Sequence, residues 1–257
     1  MIKKFKIVTG IYPSQIRQSI KALSWYKKSK KEFERQAQGQ NIGFDVITEF
    51  PCLLDKDAEG GEASGHYFHQ DLLVAQEIFK TNPDKHVDIG SRIDGLIAHI
   101  ASFRKVVVFD IRQLTPVISN VEFQQADCMA EDFAYRNYCD SISSLHAIEH
   151  FGLGRYGDPI DVYGHIKGLN NIYKALKQDG LFYFSVPIGR PRIEFNAHRV
   201  FSIKYLLDYF EGKYQLQSFS FVNDGGHLHR DIDLTEELIT NNCYCHYGCG
   251  IFILQKI

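Results

Sequence analysis

Apolar residues recur at Ile16, Ile20 and Leu23, with Tyr26 and Phe33 beyond, which is the one-sided spacing of an amphipathic helix. A polar, glycine-bearing stretch follows, "LLDKDAEGGEASGHYFHQD", and predicts a junction between an N-terminal appendage and a main domain. The boundary is drawn so that residues 1–65 form a helical appendage or cap and residues 66–257 the main domain. "QDLLVAQEIFKTNP" returns to helical spacing and is stopped by Asn82-Pro83.

From there strand and helix patterns alternate. "HVDIG" predicts a short strand and "DGLIAHIASF" a helix. "KVVVFDI" is rich in β-branched residues and predicts a strand buried on both faces. "VEFQQADC" is a third strand and "CDSISSLH" a fourth. "VYGHIKGLNNIYKALKQDG" is a helix ended by a glycine cap, and "LFYFSVPIG" a fifth strand. This alternation predicts an α/β fold of the doubly wound, Rossmann-like kind, with a parallel sheet and crossover helices. In the tail, "FSIKYLLDYF" is a helix, followed by the strands "YQLQSFSFVND" and "GCGIFILQKI". No helix is evident between those two strands, so they are expected to pair antiparallel.

Length and composition change this picture little. A chain of 257 residues, 44% hydrophobic and 23% charged, holds enough apolar matter for one large domain with an appendage. No apolar run approaches the roughly eighteen residues of a membrane span. The start, "MIKKFKIVTGIYPS", has a broken apolar run and no small-residue cleavage site, so no signal peptide is expected. Six irregularly spaced cysteines read as reduced thiols. A cytoplasmic protein is expected.

The net charge of −2 conceals an asymmetry: residues 1–40 carry about +8 and the remainder about −10. Much of the excess lies in "YKKSKKEFER", Tyr26 to Arg35. Such a segment can meet an anionic membrane or polyanion. A solvated helix face, or an arm packing on an acidic partner subunit, is the plainer reading and is preferred.

Chemistry enters at "HVDIGSRIDG", residues 86–95. In doubly wound sheets the ligand lies beyond the carboxyl ends of the strands at the switch point. A dinucleotide needs the G-x-G-x-x-G turn, and here Gly90 and Gly95 are present but Arg92 holds the middle position. That weakens a pyrophosphate reading. Asp110 ends the next strand, where a carboxylate can accept both ribose hydroxyls. Asp127 ends the following strand, within reach of the exocyclic amine of an adenine. Three acidic strand ends and one reduced glycine turn suit an adenosyl ligand without phosphates.

The run "VDIGS…VVFDI…QQADC…CDSISSLHAIEHF…LNNIYKALKQDGLFYFSVP" resembles the class I S-adenosylmethionine-dependent methyltransferases over roughly residues 66–257. Within them, "GHYFHQDLLVAQ", "HVDIGSRIDG" and "SSLHAIEHFGLGRYGDP" look like a bacterial and nematode group long labelled a domain of unknown function. The resemblance implies a seven-stranded sheet whose last strand is antiparallel. It implies Asp88 and Gly90 near the methionine moiety, Asp110 on the ribose and Asp127 near the adenine of S-adenosylmethionine. Ser91, Arg92, Ile111, Cys128 and Ser144 complete the expected cofactor-binding set. The departure lies at Arg92 and Asp94, where the wider superfamily favours glycine. Arg92 is left either to the cofactor carboxylate or to Asp94.

The fold places "SSLHAIEHFGLGRYGDP" after the fourth strand, so His146, Glu149 and His150 are the catalytic candidates. Methyl transfer to oxygen needs an acceptor held in line and a base for its proton, and histidine titrates near neutrality. The alternative is that Glu149 and His150 brace the following helix. "PIGRPRIEFNAHRVFS" brings Arg190, Arg192, His198 and Arg199 towards the same face, where guanidiniums can recognise an anionic acceptor. Solvent-exposed arginines on a lid loop are the alternative. In the tail, Cys243 and Cys245 are expected on one face of a strand and His227 with His229 on another. The C-x-C spacing argues for buried thiols and surface histidines, and no metal is expected there.

The expected function is methylation, on oxygen, of a small or sugar-linked anionic acceptor such as a glycan precursor in surface polysaccharide biosynthesis. The aromatics form no basic stripe, so nucleic acid is not an expected partner. The N-terminal helix is expected to cover the site or to build a homo-oligomer. A non-catalytic methyltransferase-like binding protein is the first rival and a nicotinamide-dependent oxidoreductase the second.

Overall fold

The computed structural model describes residues 12–40, 43–44, 48–58, 60–61 and 63–257. The first eleven residues, which carry most of the signal-peptide question, lie outside the described residues. The chain divides into two compact units, residues 1–62 and 63–257. In the first, helix α1 spans Pro13–Ala37, with proline in its first turn where the missing N–H costs nothing. Ile16, Ile20 and Leu23 share one side and, with Tyr12, Leu53 and Leu54, line a shallow groove. The basic segment lies on this helix, where Lys30 pairs with Glu34 and Glu49 and Arg35 with Glu32. Exposed pairs of this kind contribute little stability. No helix among the described residues is long and apolar enough to cross a membrane.

The second unit opens with α2, Gly65–Thr81. It ends at Asn82 in the left-handed region (φ 43°), whose N–H caps the Ile78 carbonyl, just before Pro83. The strands are β1 His86–Ile89, β2 Val106–Asp110, β3 Val121–Gln125, β4 Cys139–Leu145 and β5 Leu176–Ile188. A hairpin of β6 Arg192–Glu194 and β7 His198–Val200 follows, then β8 Tyr214–Val222, β9 Leu228–His229 and β10 Gly248–Lys256. The helices after α2 are α3 Ala98–Ala101, entered through a π-turn at Ile93–Ile97, α4 Gly164–Ala175, α5 Ile203–Phe210 and α6 Glu236–Thr240.

The main sheet runs β3-β2-β1-β4-β5-β10-β8-β9. Strands β1 to β5 are mutually parallel, while β10 is antiparallel to both β5 and β8. This is the expected doubly wound sheet with an antiparallel last strand. The two-residue β9, paired to β8, makes eight strands where seven were expected. Two local expectations are corrected. Helix α4 is not glycine-capped: it stops at Ala175, and Leu176 already pairs with Cys139 in the sheet. The Asp179-Gly180 turn is instead an irregularity inside β5, with Asp179 at φ 62°. Cys243 and Cys245 do not share a strand face, because Cys243 lies in a 3-10 turn at φ 53°.

The period of two along each strand sorts the core into two layers. Val87, Val107 and Phe109 face α4 and α5 through Leu169, Ile172, Ile203 and Leu206. Val106 and Val108 face the other way, against Leu73, Val74 and Ile78 of α2 and Leu96, Ile97 and Ile100. Helices therefore cover both faces, and the chain moves outward from β1 in one direction and from β4 in the other. The gap at the carboxyl ends of β1 and β4 is the switch point.

A polar ladder crosses that gap. The Asp88 carboxylate, fully buried, accepts from the Ser91 N–H (3.0 Å), the Ser91 hydroxyl (2.6 Å) and the Ser143 hydroxyl (2.5 Å). Ser91 Oγ in turn accepts from the Leu145 N–H at 3.0 Å, and Ser144 donates to the Ile89 carbonyl at 3.0 Å. His86 contacts Ser141 at 2.8 Å and Ser143 at 3.0 Å, and burial lowers its pKa to about 3, so it is neutral.

Asp88→Ala takes the shared acceptor from three buried donors, and leaving such groups unpaired costs about 1–3 kcal/mol. The urea midpoint should fall at constant m-value; an unchanged midpoint would remove the ladder from the account. Burial also pushes the Asp88 carboxyl up to about 7, against its three donors. The native state then holds this proton when the unfolded chain has lost it. Stability should therefore decline as pH rises from the ordinary carboxylate range through about 7, and Asp88→Asn should flatten that segment.

Candidate functional site

The chain leaves β1 through Gly90 at φ 71°, where a Cβ would stand 3.0 Å from the Cβ of Ala147. Gly95 is required for another reason: a Cβ there would lie 2.2 Å from Asp71 Oδ2. Between them Arg92 and Asp94 form a bidentate, exposed ion pair at 2.9 and 2.6 Å, with Arg92 over the Tyr67 ring. Of the two partners open to Arg92, the structure supplies Asp94.

This loop borders a cavity of about 520 Å³, within the range of small-molecule sites. Gly90, Ser91 and Arg92 line it from β1; Asp110 and Ile111 from β2; Asp127 and Cys128 from β3; His146 and His150 from beyond β4. Asp110 accepts from the Arg112 backbone at 2.8 Å and holds its guanidinium at 2.6 Å. Asp127 accepts from the Met129 N–H at 2.8 Å, an Asx turn that sets the strand end. Cys128 is buried, and burial raises its thiol well above the ordinary value.

The exit of β4 carries the densest chemistry. His146 sits at φ 50°, a region that a non-glycine residue rarely adopts, and its Nδ1 lies 2.7 Å from Glu149 Oε1. Burial works against charge on either group. At His146 the neighbouring Cys249 and Glu149 outweigh it and raise the pKa; at Glu149 it is outweighed by His146, and the pKa is lowered. His146 Nε2 faces His66 Nδ1 at 3.1 Å. His150 gives its Nδ1–H to the Ala197 carbonyl at 2.6 Å and stands 3.8 Å from Glu149. Burial lowers the His150 pKa, so the neutral ring is favoured.

The other sequence-singled residues lie away from the cavity wall. Asp88 and Ser144 are fully buried behind it in the ladder, and Glu149 backs the two histidines. Arg192 is engaged by Glu194 at 2.7 Å and by the His246 carbonyl at 3.0 Å. Arg190 is exposed on the same segment, and His198 packs on Tyr247. Arg199 is buried and donates to the carbonyls of Phe151 (2.6 Å), Glu149 (3.3 Å), Asp161 and Val162 (each 3.5 Å). Its charge braces the loop after β4. In the tail, Cys243 and Cys245 belong to the core, and burial pushes their thiols up to about 12 and about 11. His229 is exposed and stacked on Phe221.

Sequence reasoning passed over Tyr67, Arg112, Arg155 and Tyr156, which line the cavity. Arg112 follows the strand-end Asp110 by two residues, a spacing that could have marked it. Arg155 stood inside the quoted β4 run but carries no local signal.

The model of a family described as Caenorhabditis protein of unknown function, DUF268, matches residues 105–257. The chain belongs to the DUF268 family. Two solved structures share its fold at a TM-score of 0.50. One is the [4+2]-cyclase SpnF, 12% identical, with 72% of this chain and 81% of that one covered. The other is the Burkholderia thailandensis 1,6-didemethyltoxoflavin-N1-methyltransferase, crystallised with 1,6-didemethyltoxoflavin and S-adenosylhomocysteine. It is 13% identical, covering 73% of this chain and 78% of that one. No curated protein matches the chain. The DUF268 chain thus has the class I methyltransferase fold.

In this DUF268 protein, Arg199→Ala takes the guanidinium from four loop carbonyls, of which Asp161 keeps the Gly164 N–H. Amide hydrogen exchange over residues 149–162 should quicken about tenfold or more while the sheet core is unmoved. Unchanged exchange there would show that the loop holds itself.

Proposed function

We propose that this DUF268 chain is an S-adenosylmethionine-dependent methyltransferase acting on oxygen of a small, negatively charged acceptor. The observation that carries the reading is the wall of the cavity: Asp110 ends β2 and Asp127 follows the adjacent β3 by two residues, beside the Gly90 turn at the switch point. Asp110 suits a ribose diol, and Ile111 and Cys128 flank a slot for an adenine whose amine meets Asp127. Asp88, Ser91 and Ser144 act here by fixing the strand ends. A diphosphate is disfavoured because Arg92 and Asp94 neutralise each other where phosphate oxygens would need free donors.

The cofactor, when bound, supplies a methyl group on a sulfonium. The chain supplies position and a base. His150 is held by the Ala197 carbonyl in the tautomer that leaves Nε2 a lone pair. That nitrogen takes the acceptor's hydroxyl proton as the new O–C bond forms. Glu149, Arg155, His146 and the Ala197 carbonyl are the charged or polar groups around it. The anionic part of the acceptor falls to Arg155, which lines the cavity wall and donates through Nη1 to the Ala197 carbonyl at 3.0 Å, whereas Arg192 and Arg199 lie off that wall. A sugar-linked glycan precursor is one acceptor of this class. The Arg112–Asp110 pair favours a second reading, in which the fold binds a partner without a cofactor.

S-adenosylhomocysteine at a hundredfold excess over its dissociation constant adds about 2.7 kcal/mol, visible as a raised melting temperature. Asp110→Ala should abolish most of that shift. No shift in the parent protein would decide for the second reading, and an undiminished shift in Asp110→Ala would free Asp110 of the ribose.

His150→Gln should lower kcat by roughly 10²–10⁴ with S-adenosylhomocysteine binding retained. Because burial lowers the His150 pKa, the acid limb of the parent's rate profile should fall below the ordinary histidine value of about 6.5. A near-normal kcat in the variant would leave catalysis to positioning.

A further inference from the structure

Beside the cleft, three side chains from distant parts of the chain converge. His66 opens α2, His146 follows β4, and Cys249 lies in β10. Among the described residues, they form a group whose donor atoms all lie within 4.8 Å of one another. His146 and Cys249 are buried and His66 is half-buried. Nothing in methyl transfer by His150 uses them.

The arrangement of their outer contacts is informative. A neutral imidazole has one donor and one acceptor nitrogen. With His146 Nδ1–H directed at Glu149, its Nε2 faces His66 Nδ1 and the Cys249 sulfur, and loss of the Nε2 proton turns a lone pair towards both. His66 also hydrogen-bonds the Tyr247 backbone, which holds its ring in place. Two ring nitrogens directed at each other at 3.1 Å share one proton when no ion is bound, a place that a divalent cation can take. Glu149 adds a demand of its own: the residue is 1% exposed, and its Oε2 has no hydrogen-bond partner among the described residues.

We propose that His66 Nδ1, His146 Nε2 and Cys249 Sγ bind a divalent cation of the zinc class, with Glu149 as the outer partner that orients His146. Two imidazole nitrogens and one sulfur suit a borderline-soft ion. The carboxylate behind a ligating histidine is the usual support of such a site. The charges also close: a cation of +2 meets the Cys249 thiolate and the Glu149 carboxylate, so the buried cluster is neutral, as a low-dielectric setting demands. On binding, the Cys249 thiol gives its proton to solvent. Three protein ligands leave a fourth position open, the pattern of sites that bind water or substrate. His146 lines the cavity, so that position adjoins the cleft. The left-handed backbone at His146 fits the same purpose: it is a strained conformation that holds the ring toward the cluster. The site stands whether or not methyl transfer is the reaction.

The test uses zinc alone. The full chain, stripped with a chelator, is titrated with zinc against a chromogenic competitor, and folding of each variant is followed by circular dichroism. One equivalent per chain is expected. Affinity should fall at least a hundredfold in Cys249→Ser and in His66→Ala, and 10–100-fold in Glu149→Gln. Cobalt in the parent protein should show thiolate-to-metal charge transfer, which keeps the question decidable if Cys249→Ser does not fold. Less than stoichiometric zinc in the parent, no thiolate band with cobalt, or full affinity in a folded His66→Ala variant would overturn the site.

Discussion

Asp88 occupies the one place in the sheet where two neighbouring strands diverge in their connections, and its carboxylate is the acceptor for Ser91 and Ser143 together. Loops leave β1 and β4 in opposite directions there, so nothing in the backbone ladder continues to hold the ends in register. The side chains do it instead. Ser91 carries the tie across to the Leu145 N–H, and Ser144 returns one to Ile89. A buried acceptor that is shared among strands fixes them because any splaying would leave polar groups unpaired away from water. His146 follows Leu145 directly, so the ladder also sets where the first histidine of the site emerges.

That dependence explains how the glycine loop tolerates its two charged residues. The steric demands of the turn fall on Gly90, which abuts Ala147, and on Gly95, which abuts Asp71. Positions 92 and 94 lie on the open side, where Arg92 and Asp94 are 58% and 70% exposed at their side chains. Glycine is retained where a Cβ would collide and replaced where it would not. The charged pair closes on itself and removes the free donors that a phosphate would need.

The sheet was legible because its signals are local: β-branched runs, Asn82-Pro83 and acidic strand ends all act within a few residues. Asp110 and Asp127 could be placed on that ground, and both reach the cavity. Asp88 looked equivalent by sequence, yet its side chain points into the ladder, and only the pairing of β1 with β4 decides that. Arg199 read as a free guanidinium because arginine is usually exposed. Its burial follows from four carbonyls of a loop some forty to fifty residues earlier, a meeting that no local pattern encodes. His66 and Cys249 escaped notice for the same reason: one stands at a helix start, the other in the last strand. The "CYC" run was misread because alternation suggests a strand, whereas Asn242 and Cys243 both adopt positive φ and turn the chain.

The fold is shared by a protein crystallised as a [4+2]-cyclase and by a methyltransferase, so architecture leaves the reaction open and the exit of β4 must distinguish this chain. Glu149 lies between two imidazoles, 2.7 Å from His146 and 3.8 Å from His150, and only the nearer one donates a hydrogen bond to it. The two rings are thereby held by different partners. His146, tied to a carboxylate, directs its other nitrogen to His66 and Cys249. His150 is tied to the Ala197 carbonyl through Nδ1, burial favours its neutral form, and its Nε2 lies 3.8 Å from Glu149. Arg199 keeps the difference in place, since it grips the carbonyls of Glu149 and Phe151 on either side of His150. A guanidinium that sequence offered as a substrate contact is thus buried against the backbone on either side of His150.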